Sequence, residues 1–536
     1  MKKRILKAFA FSLAFLPTLS SCFYLENGRK ETKISTIDPS HSSDAVYKEP
    51  NYPAGYKKEN LTNANIGLGS FYRYLPTTGN SKILVVPVET SNESFTSKEL
   101  DLIEKGFFGS SKETGWESVA SFYEKSSYGA LHISGEVAPT VKLNMTTSEL
   151  EAIAKSYDKQ GKTYTDTLLA NVIKLLDDKK AVNLADYDTN SDGYVDGVWL
   201  VYSATYNSSS DFYWAYTTWA MDNTTYSGKK LSCYAWASVD FLTEMDYSSL
   251  LDHTNIADAH TFIHETGHML GLDDYYSYDY DYSPKTHSGN TDTPIGGVDM
   301  MDFNIGDHNS FSKYLLGWKK PTVITDEYLS ANNNTLTLRS QTETGDSFLI
   351  PVDSSYNGTA LDEYLLVEYY TPTGLNEMDA KKPYGDSGLG TYTKNGVLVY
   401  HINATVGKIV PDSKGNPHWD GYAYDMLPSY SSDWGKYYLF AFLYSNTRSY
   451  SWDSNISDTG LSFYRGRLIS LLPSSGNRVE GLKTGFADNN VLFGAGSSFE
   501  NSYSDFKFDD GNKCKYSFTV NSTNSSSCSL EFKEAK

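Results

Sequence analysis

Basic residues are in short supply in this chain: 46 Lys and Arg stand against 66 Asp and Glu, a formal charge of −20 over 536 residues. Neutralising nucleic-acid phosphates needs clustered Lys and Arg, so the deficit excludes nucleic acid as a partner. Long apolar runs are missing beyond Leu19, which leaves nothing downstream that reads as a membrane-spanning helix. No self-similarity recurs at a fixed period, which excludes a solenoid or propeller. Cysteine and histidine are scarce, at 4 and 10 residues. Aromatic and aliphatic residues are plentiful: 39% of the chain is hydrophobic, with 9 Trp, 43 Tyr and 25 Phe, ample for the two or three cores that a chain too long for one core requires.

Because histidine is rare, its clustering is informative. The run His264-Glu265-Thr266-Gly267-His268-Met269-Leu270-Gly271-Leu272-Asp273-Asp274 contains a His-Glu-x-x-His pentapeptide, which chance would supply in roughly one such chain in a hundred. Residues four apart on a helix share a face, so the imidazoles of His264 and His268 can meet one metal ion, zinc by its preference for nitrogen donors, while Glu265 leans into the same space as a base. Gly271 lets the helix end in backbone angles closed to other residues and turns the chain back, offering Asp274 as a third ligand. Asp273 beside it is the alternative, and spacing favours Asp274. The stretch from Ile256 to Ile263 holds neither Gly nor Pro and is expected to form a buried helix leading into the motif.

Further along come Gly296-Gly297-Val298-Asp299-Met300-Met301-Asp302 and His308-Asn309-Ser310-Phe311-Ser312-Lys313-Tyr314-Leu315-Leu316-Gly317-Trp318. The extended zinc motif followed by a methionine-bearing turn resembles the metzincin zinc peptidases, and its flanks are most similar to the immune inhibitor A family of bacterial secreted proteases. That resemblance implies Asp274 as third ligand and Met301 as the turn methionine beneath the ligands. The chain departs from the family at Asp273, where Pro is common, and at Val298, where an aromatic is common. The likeness extends to Lys82–Glu89, which reads as a buried strand, and to Trp116–Val137, which reads as helix, glycine-terminated turn and strand. It covers roughly residues 70 to 320. The implied fold is an α+β metzincin-like catalytic domain, a mixed sheet with a zinc-binding helix and a Met-turn. From about Thr322, short alternating runs such as Tyr364–Tyr369 and Gly396–His401 separated by Gly, Asn, Ser and Asp predict a β-sandwich-like C-terminal region.

Asp188-Thr189-Asn190-Ser191-Asp192-Gly193-Tyr194-Val195-Asp196 places oxygen ligands at alternate positions with a glycine for the tight turn, the pattern of a calcium loop. The twelfth position is Trp199 in place of Glu, and a strand, not a helix, is expected to follow. We read Asp188, Asn190, Asp192 and Asp196 as a partial calcium site, an Asp-rich turn being the alternative. At the start, Lys2, Lys3, Arg4 and Lys7 precede an apolar stretch ending in Leu19-Ser20-Ser21-Cys22, an export signal whose small residues before Cys22 match a bacterial lipobox. Acylation of Cys22 would anchor the protein on the extracellular face of a bacterial cell membrane without a spanning helix, simple secretion being the alternative.

The expected organisation is therefore a leader at 1–22, a flexible tether or short prosegment at 23–79, a catalytic domain at 80–320 and β-rich structure at 321–536. The tether lacks cysteine, so it offers no thiolate latch for the metal. Cys514 and Cys528 are candidates for a disulfide, and Cys233 for a buried apolar residue. Tyr276, in the tyrosine-rich run after the motif, is a candidate donor to a developing oxyanion. Taken together the residues point to a zinc endopeptidase acting on extracellular proteins or peptides. The rival class is a surface binding protein or adhesin built on an inactive protease scaffold.

Overall fold

A computed structural model describes residues 73–535 except 115, 159–163, 207–210, 221–223, 244–256, 277–293, 303, 354–355, 382–390, 412–416, 423–438, 443–445, 447–466, 478–485 and 510. The leader, Cys22 and the tether up to residue 72 lie outside the described residues. Packing divides the described residues into two compact units, one ending at Asp273 and the other beginning at Asp274. The architecture is mixed α and β, with several separate sheets.

The first unit is built on a six-stranded sheet. Its strands are β1 (Gly79–Glu89), β2 (Leu131–Val137), β3 (Val141–Lys142), β4 (Gly197–Tyr202), β5 (Tyr216–Trp219) and β6 (Cys233–Ser238), in the order β2-β1-β4-β6-β5 with β3 also on β1. All pairings are parallel except β5 with β6. Parallel strands are covered on both faces and so read as unbroken apolar runs, as Ile83–Val86 and Val198–Tyr202 do. Leu84, Val86, Val88, Val198 and Leu200 form one core with the apolar stripe Leu168, Leu169, Val172, Ile173 and Leu176 of a helix at Tyr164–Asp178. Trp199, pointing to the other face by strand alternation, meets Phe262 at 4.8 Å between ring centroids.

The expected helix–turn–strand at Trp116–Val137 is present. Its helix, Val119–Ser126, is capped by the Ser118 hydroxyl accepting from the Ser121 amide, and β2 follows. The helix carrying the histidines is shorter than its apolar lead-in suggests. It starts at His260, because the Asp258 carboxylate accepts the His260 amide at 2.9 Å and stops the helix there; Ala257 and Ala259 are buried without being helical, and Ile256 lies outside the described residues.

In the second unit, β7 (Thr322–Val323), β9 (Ser347–Pro351), β10 (Glu363–Tyr370), β11 (Gly396–Asn403) and β15 (Ile469–Leu471) form a five-stranded sheet in the order β15-β11-β10-β9-β7. A second sheet pairs β8 (Thr335–Arg339) and β16 (Tyr516–Thr523) on either side of β17 (Ser527–Glu534), all antiparallel. The inward residues of both sheets, among them Leu338, Ile350, Val367, Val399, Phe518 and Leu530, belong to one core. A third sheet joins β12 (Val406–Pro411), β13 (Pro417–Tyr422) and β14 (Leu439–Phe442).

The cysteine pairing expected near the C-terminus is not made. Cys514 and Cys528 are both free and buried. Both occupy the shared core as small apolar residues, and burial pushes each thiol up to about 12. Cys233 is likewise a buried core residue, as expected. Among the described residues no helix is long and apolar enough to cross a membrane.

Candidate active site

The helix His260–Met269 is held at its flanks by side chains of the first unit. The Tyr123 hydroxyl donates to the Ile263 carbonyl at 2.7 Å, the Thr217 hydroxyl on β5 donates to the Glu265 carbonyl at 2.7 Å, and the Trp199 indole donates to the Thr266 hydroxyl at 3.3 Å. The Leu75 amide donates to the Met269 carbonyl at 2.8 Å. These bonds fix the rotation of the helix, so the face carrying the motif is set by the sheet around it and not by the motif itself.

On that face the ligand atoms of His264, Glu265 and His268 all lie within 4.8 Å of one another. The two imidazole rings meet edge to face, 4.9 Å between centroids. His264 and Glu265 are more than nine-tenths buried. His260, which no motif singles out, sits one turn earlier with its ring 6.3 Å from that of His264 and outside the three-residue group.

The helix ends at a glycine. Gly271 adopts φ of +99°, its amide donates to the His268 carbonyl at 2.9 Å, and the Leu272 amide donates to the Gly267 carbonyl at 3.0 Å, the paired bonds of a left-handed helix terminus. The reversal brings the Leu272 carbonyl to 2.7 Å from His268 Nδ1. A carbonyl only accepts, so Nδ1 carries a proton, and in the neutral imidazole this leaves the lone pair on Nε2; this outer hydrogen bond is the kind that orients a metal-binding imidazole. Two imidazoles and a carboxylate crowded on a buried helical face would be costly to desolvate as bare groups, and together they are a donor set that fits zinc. Asp274 and Tyr276, both half-buried, are the first residues of the second unit.

In the second unit Met301 sits in a tight turn. The Asp302 amide donates to the Asp299 carbonyl at 2.9 Å and the Met301 amide to Asp299 Oδ1 at 2.8 Å, while the Tyr275 amide donates to the Met301 carbonyl at 2.8 Å. Met300 and Met301 are fully buried. Gly296, at φ of +88°, approaches Ala487 so closely that an added Cβ would lie 2.3 Å from the alanine Cβ, which explains glycine at the entry to this turn.

The second unit also encloses a set of buried titratable groups that the sequence did not disclose. Lys313 pairs with Asp307 at 2.6 Å with both side chains 1% exposed, and Asn309 binds Asp299 Oδ2 through its amide and its side chain, each at 2.8 Å. Burial pushes Glu368 up to about 7 despite the Ser310 amide and Lys313, and pushes Asp379 up to about 8.

The acidic loop Asp188–Asp196 is stitched to protein partners. Asp188 accepts the Lys229 ammonium at 2.5 Å and the amides of Asp192 and Gly193, at 2.9 and 3.1 Å. Burial works to raise the Asp188 carboxyl, but Lys229 and the two amides outweigh it and hold it below the usual carboxylate range. Asp196 accepts the Thr189 hydroxyl at 2.6 Å and the Lys82 amide at 2.9 Å, and burial pushes it up to about 6. Asn190 and Asp192 cap the amides of Asp192 and Tyr194, at 3.1 and 2.9 Å. The loop is absent from the two groups of three or more His, Cys, Asp and Glu ligand atoms found among the described residues.

The family described as Gametolysin peptidase M11 matches residues 92–418, more than half of the chain. No curated protein matches the chain.

Proposed function

The chain belongs to the gametolysin peptidases, a zinc metallopeptidase family compatible with the likeness to immune inhibitor A, and on that premise we propose that it is a zinc-dependent endopeptidase cleaving extracellular proteins. Membership makes it a hydrolase of peptide bonds that works with a metal ion, and makes proteins or peptides its substrates. The observation that carries the finer reading is the convergence of His264, Glu265 and His268 within 4.8 Å on one buried helical face.

His264 and His268 are the ligands proposed for zinc, with Asp274 as the third by its spacing along the chain and Gly271 as the residue that permits the reversal. Zinc held there would supply Lewis acidity, polarising the scissile carbonyl and making water a nucleophile near neutral pH. Glu265 takes the proton of the attacking water and delivers it to the departing amine. Tyr276 donates a hydrogen bond to the developing oxyanion, so Tyr276→Phe should lower kcat about 10²-fold with little change in KM. An unaltered kcat removes Tyr276 from the mechanism. Met301 is proposed as the apolar floor of the metal site, a role that rests on the resemblance to metzincins.

Removing the metal tests the whole reading. A chelator should abolish hydrolysis of a general protein substrate and added zinc should restore it; full activity in metal-free protein would end the assignment. The rival reading as an adhesin expects no turnover at all.

Calcium at Asp188, Asn190, Asp192 and Asp196 is a further part of the proposal, in which the ion competes with Lys229 for Asp188. Millimolar calcium should therefore raise Tm relative to chelator, and Lys229→Met should enlarge the rise. Equal melting in both conditions for both proteins would exclude calcium. The shared core of the two antiparallel-rich sheets supports reading the C-terminal region as a sandwich. The division at 22, 79 and 320, the lipid on Cys22 and a place on the outer face of a bacterial membrane are proposed from the sequence.

A further inference from the structure

A second cluster of ligand atoms lies in the second unit. Glu363, His401 and Asp509 each direct one ligand atom to within 4.8 Å of the other two. Strand pairing explains the first two. Glu363 on β10 lies opposite Asn403 on β11 and Leu365 lies opposite His401, so Glu363 and His401 are diagonal neighbours on one sheet face, and His401 Nε2 is 2.8 Å from Glu363 Oε1. Asp509 arrives from the segment before β16. Its amide donates to Glu363 Oε1 at 2.6 Å, and its Oδ2 accepts the Asn403 side-chain amide at 2.8 Å.

We propose that Glu363, His401 and Asp509 form a second divalent-metal site, for a first-row transition ion of which zinc is the first choice, and that this ion clips the segment carrying Phe506, Phe508 and Asp509 onto the β10–β11 face. The donor set is one imidazole nitrogen and two carboxylate oxygens. Nitrogen disfavours calcium and magnesium, whereas the mixed set suits zinc and its neighbours. The charge also balances, since two carboxylates and a neutral imidazole match a dication. A plain His–Glu pair would need only its two members. A second carboxylate in the same few ångströms adds repulsion that such a pair does not require and that a dication removes.

The surroundings are those of a metal clip. The Phe506 and Phe508 rings stand edge-on to His401 at 5.4 and 5.9 Å between centroids and close the apolar side. Asn403 holds Asp509 from behind and is itself held by the Thr405 hydroxyl at 2.7 Å, an outer layer of the sort that orients first ligands. Glu363 and His401 are buried while Asp509 is half-exposed, which leaves one side open for an ion to enter.

The test is metal stoichiometry of the full chain, equilibrated with zinc alone and freed of loosely bound ion, for four proteins: wild type, His264→Ala/His268→Ala, Asp509→Asn, and the combination. Two zinc ions per wild-type chain, one in each of the first two variants and none in the combination would establish both sites. Asp509→Asn spares the buried His–Glu pair and keeps its neighbours' packing, so it reports on the metal and not on folding. In the His264→Ala/His268→Ala background, zinc should raise Tm, and Asp509→Asn should abolish that rise. Zinc content and Tm response unchanged by Asp509→Asn would overturn the proposal and leave a hydrogen-bonded structural cluster. Failure of the peptidase site would show separately, as zinc content indifferent to His264→Ala/His268→Ala.

Discussion

Glu265→Gln should cut kcat by roughly 10²- to 10⁴-fold while zinc content and KM stay near wild-type values. The glutamine keeps the shape and most of the polarity of the side chain but cannot accept a proton, so the loss falls on the step in which water is deprotonated. The helix itself should not notice the change. Its position depends on the bond from Thr217 to the Glu265 backbone carbonyl and on the bonds from Tyr123, Trp199 and Leu75 to the Ile263 carbonyl, the Thr266 hydroxyl and the Met269 carbonyl, bonds that the substitution leaves in place. His264 and His268 keep their places, and His268 keeps its bond to the Leu272 carbonyl. His268→Ala is the contrasting case, because it removes a ligand and should lose metal and activity together. Measuring zinc alongside steady-state kinetics separates the two. Turnover by Glu265→Gln equal to wild type would reject the base, and loss of zinc in the same variant would show that Glu265 acts as a ligand.

The parts of this site legible in the sequence are those governed by local rules. The i, i+4 spacing of His264 and His268 and the left-handed turn at Gly271 follow from helix geometry, and both are present. Strands β1, β4, β10 and β11 are apolar runs bounded by turn residues, and their approximate limits follow from that pattern. The start of the histidine helix was not legible, because apolar Ile256–Ala259 is compatible with helix until the Asp258 carboxylate takes the His260 amide. Nor was the occupancy of the acidic loop. Asp188 meets Lys229 across 41 positions of chain, and only the folded ribbon Thr225–Lys230 delivers that ammonium. The Glu363–His401–Asp509 cluster, in which Asp509 lies 146 positions beyond Glu363, carries no motif, since its geometry comes from strand register and a loop crossing. Buried acids such as Asp379 escape for the same reason: a sequence does not show which acids a fold will enclose.

That enclosure sets the second large effect. Asp379 is 1% exposed, and among the described residues its Oδ1 has no hydrogen-bond partner. Tyr370 and Tyr392 are the titratable groups whose energetics it affects, and no cation is among the causes of its own shift, which is burial alone. Burial pushes its carboxyl up to about 8 from the ordinary 3.8. Between those two values the folded chain holds a proton that the unfolded chain has released, so stability must fall as pH rises across the window and level off above it. The slope from one such group approaches about 1.4 kcal/mol per pH unit. Asp379→Asn removes the titration. The variant should be less stable than wild type near pH 5, by about 1–3 kcal/mol, because an amide brings donors into a pocket arranged for a protonated acid. It should be the more stable protein near pH 9, where wild type must carry an enclosed anion. Glu368, raised to about 7 by burial against the Ser310 amide and Lys313, remains in the variant and should leave a residual slope below that pH. Denaturant unfolding of zinc-saturated protein from pH 5 to 9 measures both curves. Curves that run parallel without crossing would mean that Asp379 gains a counter-charge or solvent in solution, and the enclosed-acid account would fail.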